Sequence, residues 1–327
     1  MTKIAVVILN YNGRDFLNQF IPNLITYTPE AEIIVADNAS TDDSLEVLKA
    51  FREVKVVTLP KNYGYAGGYN QALKQIDADY YALVNSDIEV TDNWLPPLIS
   101  FLENNTEYAS VQPKIRDYNR KTHFEYAGAA GGYLDFLGYP YCRGRLFDTL
   151  EKDTGQYDDI RDVHWATGAC FVIRSEKFHE VGGFDDSFFA HMEELDLAWR
   201  LSSKGYKSAC VPTSEVFHVG GGTLNKIHPR KTYLNFRNAL ALLIKNLPYF
   251  HLIFILPVRI VLDVVAGIKF SFSQGPAHLL AVLKGILHAL GRLPKYIAHS
   301  PRSAITNEHQ SIVWAYFVRK VKRYNDL

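Results

Sequence analysis

The first quarter of the chain carries short, nearly continuous apolar runs, each stopping in polar residues. Residues 4–9 end in Asn10-Tyr11-Asn12-Gly13, residues 33–36 end in Asp37-Asn38-Ala39-Ser40, and Tyr80-Tyr81-Ala82-Leu83-Val84 ends in Asn85-Ser86-Asp87. Runs of this length, rich in β-branched and aromatic residues, predict buried strands. Between them the apolar spacing changes to three and four. Phe16, Phe20, Leu24 and Tyr27 predict a helix over 14–27, and Thr41 is placed to cap a second helix through Phe51, with acids in its first turn. Residues 54–59 predict a third strand, after which the glycines at 64, 67 and 68 lead into a helix near 69–76. This alternation predicts an α/β fold with a mostly parallel sheet and right-handed crossovers.

Later segments are less regular. Residues 109–115 and 163–173 predict further strands, and between them lie an aromatic, glycine-rich run (124–141) and a polar one (151–159). Arg143, Arg145 and Cys142 take no role from the sequence. Glu193, Glu194 and Asp196 open a helix reaching about Lys204. Acids suit a first turn, and Asp196 and Arg200 form an i,i+4 pair, so a solvated helix start is one reading. The preceding Ser187-Phe188-Phe189-Ala190-His191-Met192 is apolar, which supports the other: carboxylates in packed surroundings, raised in pKa and competent as a general base.

After Lys245 the character shifts. Residues 247–258 are strongly apolar, but Arg259 and Asp263 interrupt them before bilayer-spanning length. Over 276–293, Lys284, His288 and Arg292 recur every four residues, and the tail 314–323 mixes aromatics with Arg319, Lys320, Lys322 and Arg323. Helices lying in a membrane interface have this make-up; a packed helical subdomain or a dimer contact are the alternatives.

Composition changes the picture in one respect. A hydrophobic fraction of 47% and a charged fraction of 21% describe a globular chain with a sizeable core. Net charge is zero, yet from Lys245 onward eleven Lys/Arg face three Asp/Glu. That excess of roughly +8 calls for an anionic surface, here a membrane rather than nucleic acid. Cys142, Cys170 and Cys210 form neither a disulfide framework nor a zinc motif, which fits a reducing compartment. Met1-Thr2-Lys3 runs into a strand without a signal peptide, so a cytoplasmic position is expected.

In an open parallel sheet, ligands collect beyond the carboxyl ends of the strands. Asn85 and Asp87, two residues apart, share a side if the extended geometry persists. They would suit a hard divalent cation holding phosphates, or simply close the strand in an Asx turn. Asp37 could accept hydrogen bonds from a base or ribose, and Gly64, Gly67 and Gly68 would let backbone approach a phosphate or sugar. Neither a dinucleotide fingerprint nor a Walker A loop is present. His218 leaves a strand into Gly220-Gly221-Gly222-Thr223 and could complete a metal or diphosphate site, or be structural. Arg237, in Lys231-Thr-Tyr-Leu-Asn-Phe-Arg-Asn238, could meet diphosphate or only close the fold.

Taken in order, the pieces Val7 to Asn12, Val35 to Asp42, Asn62 to Asn70, Leu83 to Asp87, Gly182 to Phe189 and Glu193 to Arg200 resemble the nucleotide-sugar-dependent glycosyltransferases of family 2. The likeness runs from residue 4 to about 240 and is greatest to rhamnosyltransferase-like members. It implies a GT-A-like fold, a nucleoside-diphosphate sugar donor (UDP- or dTDP-linked), a divalent metal (Mg2+ or Mn2+) and an inverting mechanism. By this resemblance Asp37 binds the base, and Asp87 binds metal and diphosphate within Asn85-Ser86-Asp87, where an amide replaces the first carboxylate. His218 is the other metal ligand. Asn10, Asn12, Asn38, Gly67, Gly68, Asn70 and Arg237 lie on the donor side, and Trp165 and Gly168 border the acceptor. Glu194 stands at the base position, with Glu193 and Asp196 beside it. A glycan or lipid-linked acceptor in cell-surface polysaccharide assembly is implied. The expected division is a catalytic domain over 1–245, with donor half 1–115 and acceptor half 116–245, then a helical membrane-peripheral segment over 246–327. A nucleotidyltransferase, which would release pyrophosphate, and a non-catalytic sugar-binding subunit are the alternatives.

Overall fold

The computed structural model describes residues 2–220, 228–298, 302–304 and 310–327. Strands β1 (Ile4–Asn10), β2 (Glu32–Asp37), β3 (Val54–Thr58) and β4 (Tyr80–Val84) alternate with helices α1 (Arg14–Thr26), α2 (Ser44–Leu48) and α3 (Gly64–Leu73). The strands pair in parallel in the order β3-β2-β1-β4. Asn10 and Asp37 are therefore paired neighbours at one edge, onto which the tail of β4 also opens.

The chain continues through β5 (Ile88–Val90), α4 (Pro96–Asn104) and β6 (Tyr108–Asp117). A small antiparallel sheet follows, built from β7 (Gly132–Leu134), β8 (Pro140–Cys142), β9 (Arg145–Leu146) and β10 (Thr149–Leu150). Then come β11 (Arg161–Val163), β12 (Cys170–Arg174), α5 (Ser175–Glu180), α6 (Glu193–Ser203) and β13 (Lys207–His218). The large sheet extends from β4 through β12, β6 and β13 to β11, with β5 on β13. Strand β12 runs antiparallel to β4 and β6, so the sheet is mixed beyond the parallel set β3-β2-β1-β4.

Three local expectations are corrected. The glycines at 64, 67 and 68 lie inside α3, not before it, because the helix lies close on β1. A Cβ at Gly68 would meet Leu9 Cδ2 at 2.7 Å. Thr41 does not cap α2; the Asp42 carboxylate accepts from Ser44 N at 3.0 Å instead. Residues 163–173 are not one strand, since residues 164–169 loop out between β11 and β12.

Four helices follow β13: α7 (Pro229–Asn246), α8 (Tyr249–Gln274), α9 (Pro276–Gly291) and α10 (Leu293–Ile297). One apolar core joins Phe124, Trp165, Leu195 and Trp199 to Leu240 and Leu243 of α7 and Val282 and Ile286 of α9. The C-terminal helices are thus packed onto the part of the chain that runs from Phe124 to Trp199. Gly285 brings α9 against α7 so closely that a Cβ there would lie 3.1 Å from Arg237 N. Arg259 and Asp263 do not interrupt α8, which runs 26 residues through both and is by length and composition apolar enough to cross a bilayer.

Candidate active site

The donor edge is built where β1 and β2 end. The buried Asn10 amide donates to Asp37 Oδ1 at 3.0 Å and to Ser40 Oγ at 3.1 Å, and Ser40 N donates to Asp37 Oδ2 at 3.0 Å. Asn10 Oδ1 is left buried with no partner, an acceptor that an incoming donor group can satisfy. Gly13 keeps this space open, because a Cβ there would stand 2.4 Å from that oxygen. Asn12, at φ 54°, accepts from Thr41 N at 2.7 Å and so ties the two strand ends together.

Other donor-side residues are spent on the protein itself. Asn38 accepts from Tyr63 N at 3.0 Å and donates to Gly64 O at 3.0 Å. A Cβ at Gly67 would lie 3.0 Å from Tyr63 Cβ. Asn70 grips the backbone of Phe184 in both directions, at 2.8 and 3.0 Å. These residues shape the wall behind the site rather than presenting polar groups to a ligand.

Beyond β4, Asn85 and Ser86 are half-buried and Asp87 is buried. Asp87 Oδ1 lies 3.1 Å from His218 Nε2, and Oδ2 accepts from Gly220 N at 3.1 Å. Burial would raise this carboxyl, but His218 and backbone N–H groups overcome it and hold it below its ordinary value. On the far side of the ring, Nδ1 stands 3.2 Å from Glu125 Oε1, within ion-pair range though too bent for a hydrogen bond. Burial would lower His218, yet Glu125 and then Asp87 push it up to about 10. Sequence reasoning missed Glu125, a lone acid in an aromatic, glycine-rich run. The other expected participants, Gly221, Gly222 and Thr223, lie outside the described residues.

Among the described residues no three His, Cys, Asp or Glu side chains form a ready metal cage. The donor set nevertheless fits Mg2+ or Mn2+. These ions use one or two protein ligands plus substrate phosphates, and a ligating imidazole customarily has its other nitrogen on a carboxylate. Asp87 supplies the carboxylate, and His218, with Glu125 behind its Nδ1, can ligate through Nε2 once the proton its raised pKa retains is displaced.

The third part is the approach to α6. Phe189 has φ 65° and ψ −57°, and Ala190 N bonds Phe188 O at 2.8 Å, a γ-turn of the strained positive-φ kind. His191 and Met192 follow at φ 71° and 73°. Left-handed backbone costs about 1–2 kcal/mol for each such L-residue, so neighbours must hold this turn. Arg237 does part of that. Its guanidinium donates to Ser187 O at 2.9 Å and Phe188 O at 2.7 Å, which corrects the expectation that it reaches the donor.

Glu193 and Glu194 emerge from this turn, each with one carboxylate oxygen buried and unpartnered. Burial, and then the charge of Glu194, raise Glu193 well above its ordinary value. Glu194 is less enclosed. Burial raises it to about 7, and backbone hydrogen bonds, including one from Gly168, temper the rise.

Asp196 is corrected from a catalytic to a structural role. It is fully buried and accepts from Arg200 at 2.8 Å, Lys245 at 2.8 Å and Asn246 at 3.0 Å. Trp165 likewise belongs to the core, its indole donating to Tyr133 O at 3.1 Å. Gly168 does border the site. Its carbonyl accepts from Tyr65 Oη at 2.6 Å, and the next residue, Ala169, accepts from Asn85 N at 2.9 Å. The Gly168-Ala169 turn therefore joins the Asn85-Ser86-Asp87 tail to Glu194.

Residues 5–182 match the model of glycosyl transferase family 2, more than half of the chain. The chain belongs to this family. Among curated proteins it is 27% identical over 235 residues to N-acetylglucosaminyl-diphospho-decaprenol L-rhamnosyltransferase of Mycobacterium tuberculosis, covering 66% of this chain and 75% of that protein. It is 23% identical to rhamnosyltransferase WbbL of Escherichia coli, over 66% and 83% of the two chains. Among solved structures, GalNAc-T7 with UDP, GalNAc and Mn2+ superposes with a TM-score of 0.59 at 17% identity, over 91% of this family 2 chain and 57% of that one. The mannosyltransferase PcManGT of Pyrobaculum calidifontis, with GDP-Man and Mn2+, gives 0.55 at 13% identity over 88% and 87%. At these identities the likeness is one of fold, and the fold is GT-A. The protein is a rhamnosyltransferase-like glycosyltransferase.

Proposed function

We propose that this glycosyltransferase is an inverting, metal-dependent enzyme that moves a sugar from a nucleoside-diphosphate donor to a hydroxyl of a lipid-linked glycan at a membrane surface. Asp37 and the free Asn10 oxygen take the nucleoside. Asp87 and His218 would hold the cation, whose chemistry there would be to offset the charge of the departing diphosphate. Glu194 takes the proton from the acceptor hydroxyl as that oxygen attacks the anomeric carbon. The anomeric C–O bond to phosphate breaks, and the nucleoside diphosphate carries off the electron pair.

The observation that carries the reading is Glu194 itself. It is an enclosed carboxylate raised to about 7, one loop away from the Asp87–His218 pair, beside a Glu193 that burial also raises. A general base works best when its pKa lies near the operating pH. The mycobacterial relative's name specifies a lipid diphosphate acceptor, and the apolar outer face of α8 with its basic surroundings suits delivery of such an acceptor from the cytoplasmic leaflet. The test is Glu194→Gln against Glu193→Gln at saturating donor. Transfer is expected to fall by about two to four orders of magnitude in the first and by much less in the second. A Glu194→Gln enzyme as fast as the parent would refute the assignment.

A further inference from the structure

We infer that Asn238 is a positioning residue for Glu194, holding the strained turn before α6 in the one conformation that aims the carboxylate at the site, with Arg237 fixing the orientation of its amide. This deepens the proposed function and rests on Glu194 being the base.

The turn over residues 188–192 points three successive kinds of trouble at one spot. Its positive-φ residues, Phe189, His191 and Met192, are all non-glycine, and the carbonyls of Phe188, Ala190 and His191 converge instead of entering a regular hydrogen-bond ladder. Helix α6 also begins at Met192 without a side-chain cap, so its own start does not hold the turn. Asn238 answers all three carbonyls. Its Nδ2 donates to Phe188 O at 3.0 Å, Ala190 O at 2.8 Å and His191 O at 2.7 Å, one of its two N–H groups being shared between two carbonyls, and the residue is 1% exposed.

An asparagine amide can face either way, and only one way works here, since its oxygen would repel the carbonyls. Arg237 decides the matter. Its Nε donates to Asn238 Oδ1 at 2.7 Å, while Nη2 reaches Ser187 O and Phe188 O. The adjacent Arg and Asn thus act as one clamp on the backbone that delivers Glu193 and Glu194. From the other side, Tyr65 N donates to Phe189 O at 2.7 Å, so the turn is held between α7 and α3.

The clamp sets how much water reaches the glutamates. The groups that face Glu194 are Glu193 on its own helix, Tyr65 from α3, Cys142 from β8 and the Gly168 backbone; Asp196, one turn on, faces Glu193 and is neutralised by Arg200 and Lys245. Among the described residues burial, not a charged neighbour, leads the rise of Glu194, so its elevated pKa depends on enclosure, and the enclosure depends on the turn.

The test is Asn238→Ala and Arg237→Lys in the full chain, with kcat and donor KM measured across pH and amide hydrogen exchange followed over 188–194. With the clamp lost, kcat should fall by roughly 10- to 100-fold, as small misplacements of reacting groups do. Donor KM should stay unchanged, the rising limb of the pH–rate profile should move below its parental position near pH 7, and exchange over 188–194 should quicken. Arg237→Lys keeps the charge but cannot hold the amide and the carbonyls together, so it should show the same pattern in weaker form, and it serves where Asn238→Ala fails to fold. Unchanged kcat and an unmoved limb in a folded variant overturn the inference. So does a loss of melting temperature alone. If Glu194→Gln is slow while the clamp variants are normal, only this inference fails; if Glu194→Gln is fast, the base assignment fails first.

Discussion

Arg259 Nε donates to Asp263 Oδ1 across 2.9 Å, and both side chains are turned into the protein. Arg259 also reaches the carbonyls of Leu137 and Gly138, each at 3.1 Å, and Asp263 accepts from Tyr139 Oη at 3.0 Å. The charges expected to break the apolar character of α8 instead anchor its inner face. The outer face is left apolar as far as Ile268, with Phe250, Phe254, Val261 and Val265 exposed at helical spacing, and the exposed Lys269 precedes Phe272 near its end.

This arrangement predicts that membrane binding is carried by the outer face and can be removed without disturbing the enzyme. A triple variant, Phe254→Ser, Val261→Ser and Phe272→Ser, should lose co-sedimentation with anionic vesicles while keeping nucleotide affinity. Fully buried, each such side chain is worth about 1.5–3 kcal/mol, so even partial insertion makes the drop roughly tenfold or more. Salt should weaken the parental binding through the exposed Lys284 and Arg292. Cutting the chain near Asn246 is a poor substitute, because it would bare Leu240 and Leu243 of the shared core. Equal vesicle binding by parent and triple variant would end the proposal.

A second prediction follows from the two raised glutamates. Their folded-state pKa values lie above the unfolded value, so between about pH 4.5 and 7 the folded protein holds protons that the unfolded chain releases. Stability contributed at this site must therefore fall as pH rises through that window. Glu194→Gln should melt higher than the parent at pH 8 and alike at pH 4. The gain is on the order of 2 kcal/mol, because partial exposure of Glu194 screens part of the shift. The parent's kcat should rise with pH through about 7, where Glu194 loses its proton. A glutamine variant that melts lower at pH 8 would show these carboxylates to be stabilising instead.

How far the sequence disclosed this site depended on the distance to each partner. The donor edge was legible because buried parallel strands read as unbroken apolar runs, so the polar residues ending each run, Asn10, Asp37 and Asp87, stood out. Glu194 was legible from the apolar residues just before it. Asp196 was not, because the Lys245 that neutralises it lies in another helix. Glu125 escaped notice for the same reason, since its partner His218 stands on β13. Glycine misled: Gly67 and Gly68 admit Tyr63 and Leu9 rather than a ligand, and nothing local distinguishes those uses.

The proposed metal site supplies a third prediction. Mn2+ binding measured with nucleoside diphosphate present should weaken strongly in Asp87→Asn and His218→Ala. In Glu125→Gln it should weaken by about 10- to 100-fold, the usual effect of losing a partner behind a ligand. Glu125 also accepts from Ala127 N at 2.5 Å, a bond the glutamine oxygen can keep, so the variant should remain folded. Asp37→Ala should weaken nucleotide binding with or without Mn2+. Parental Mn2+ affinity in Asp87→Asn would remove this residue from the site.

The last prediction separates Asp196 from catalysis. Lys245 Nζ, almost wholly buried, lies 2.5 Å from Asp185 and 2.8 Å from Asp196. Burial would raise both carboxyls. Lys245 leads the groups that pull Asp185 down, and Arg200 and then Lys245 pull Asp196 down, so both are charged in the fold. Lys245→Met leaves Asp185 without its cation and Asp196 with Arg200 alone, and should cost about 3–5 kcal/mol. A depressed carboxylate stabilises above its unfolded pKa and loses that effect as pH falls through its folded one. Without the lysine the two groups can take up protons more easily, so the deficit of Lys245→Met should be large at pH 7 and shrink toward pH 4. Asp196→Asn should also melt lower than the parent, because Arg200 and Lys245 lose part of their counter-charge. Its kcat per folded molecule should nevertheless match the parent, in contrast to Glu194→Gln. Chemical denaturation paired with initial rates reads both quantities. A stable Asp196→Asn protein with kcat reduced a hundredfold would return this carboxylate to the catalytic machinery.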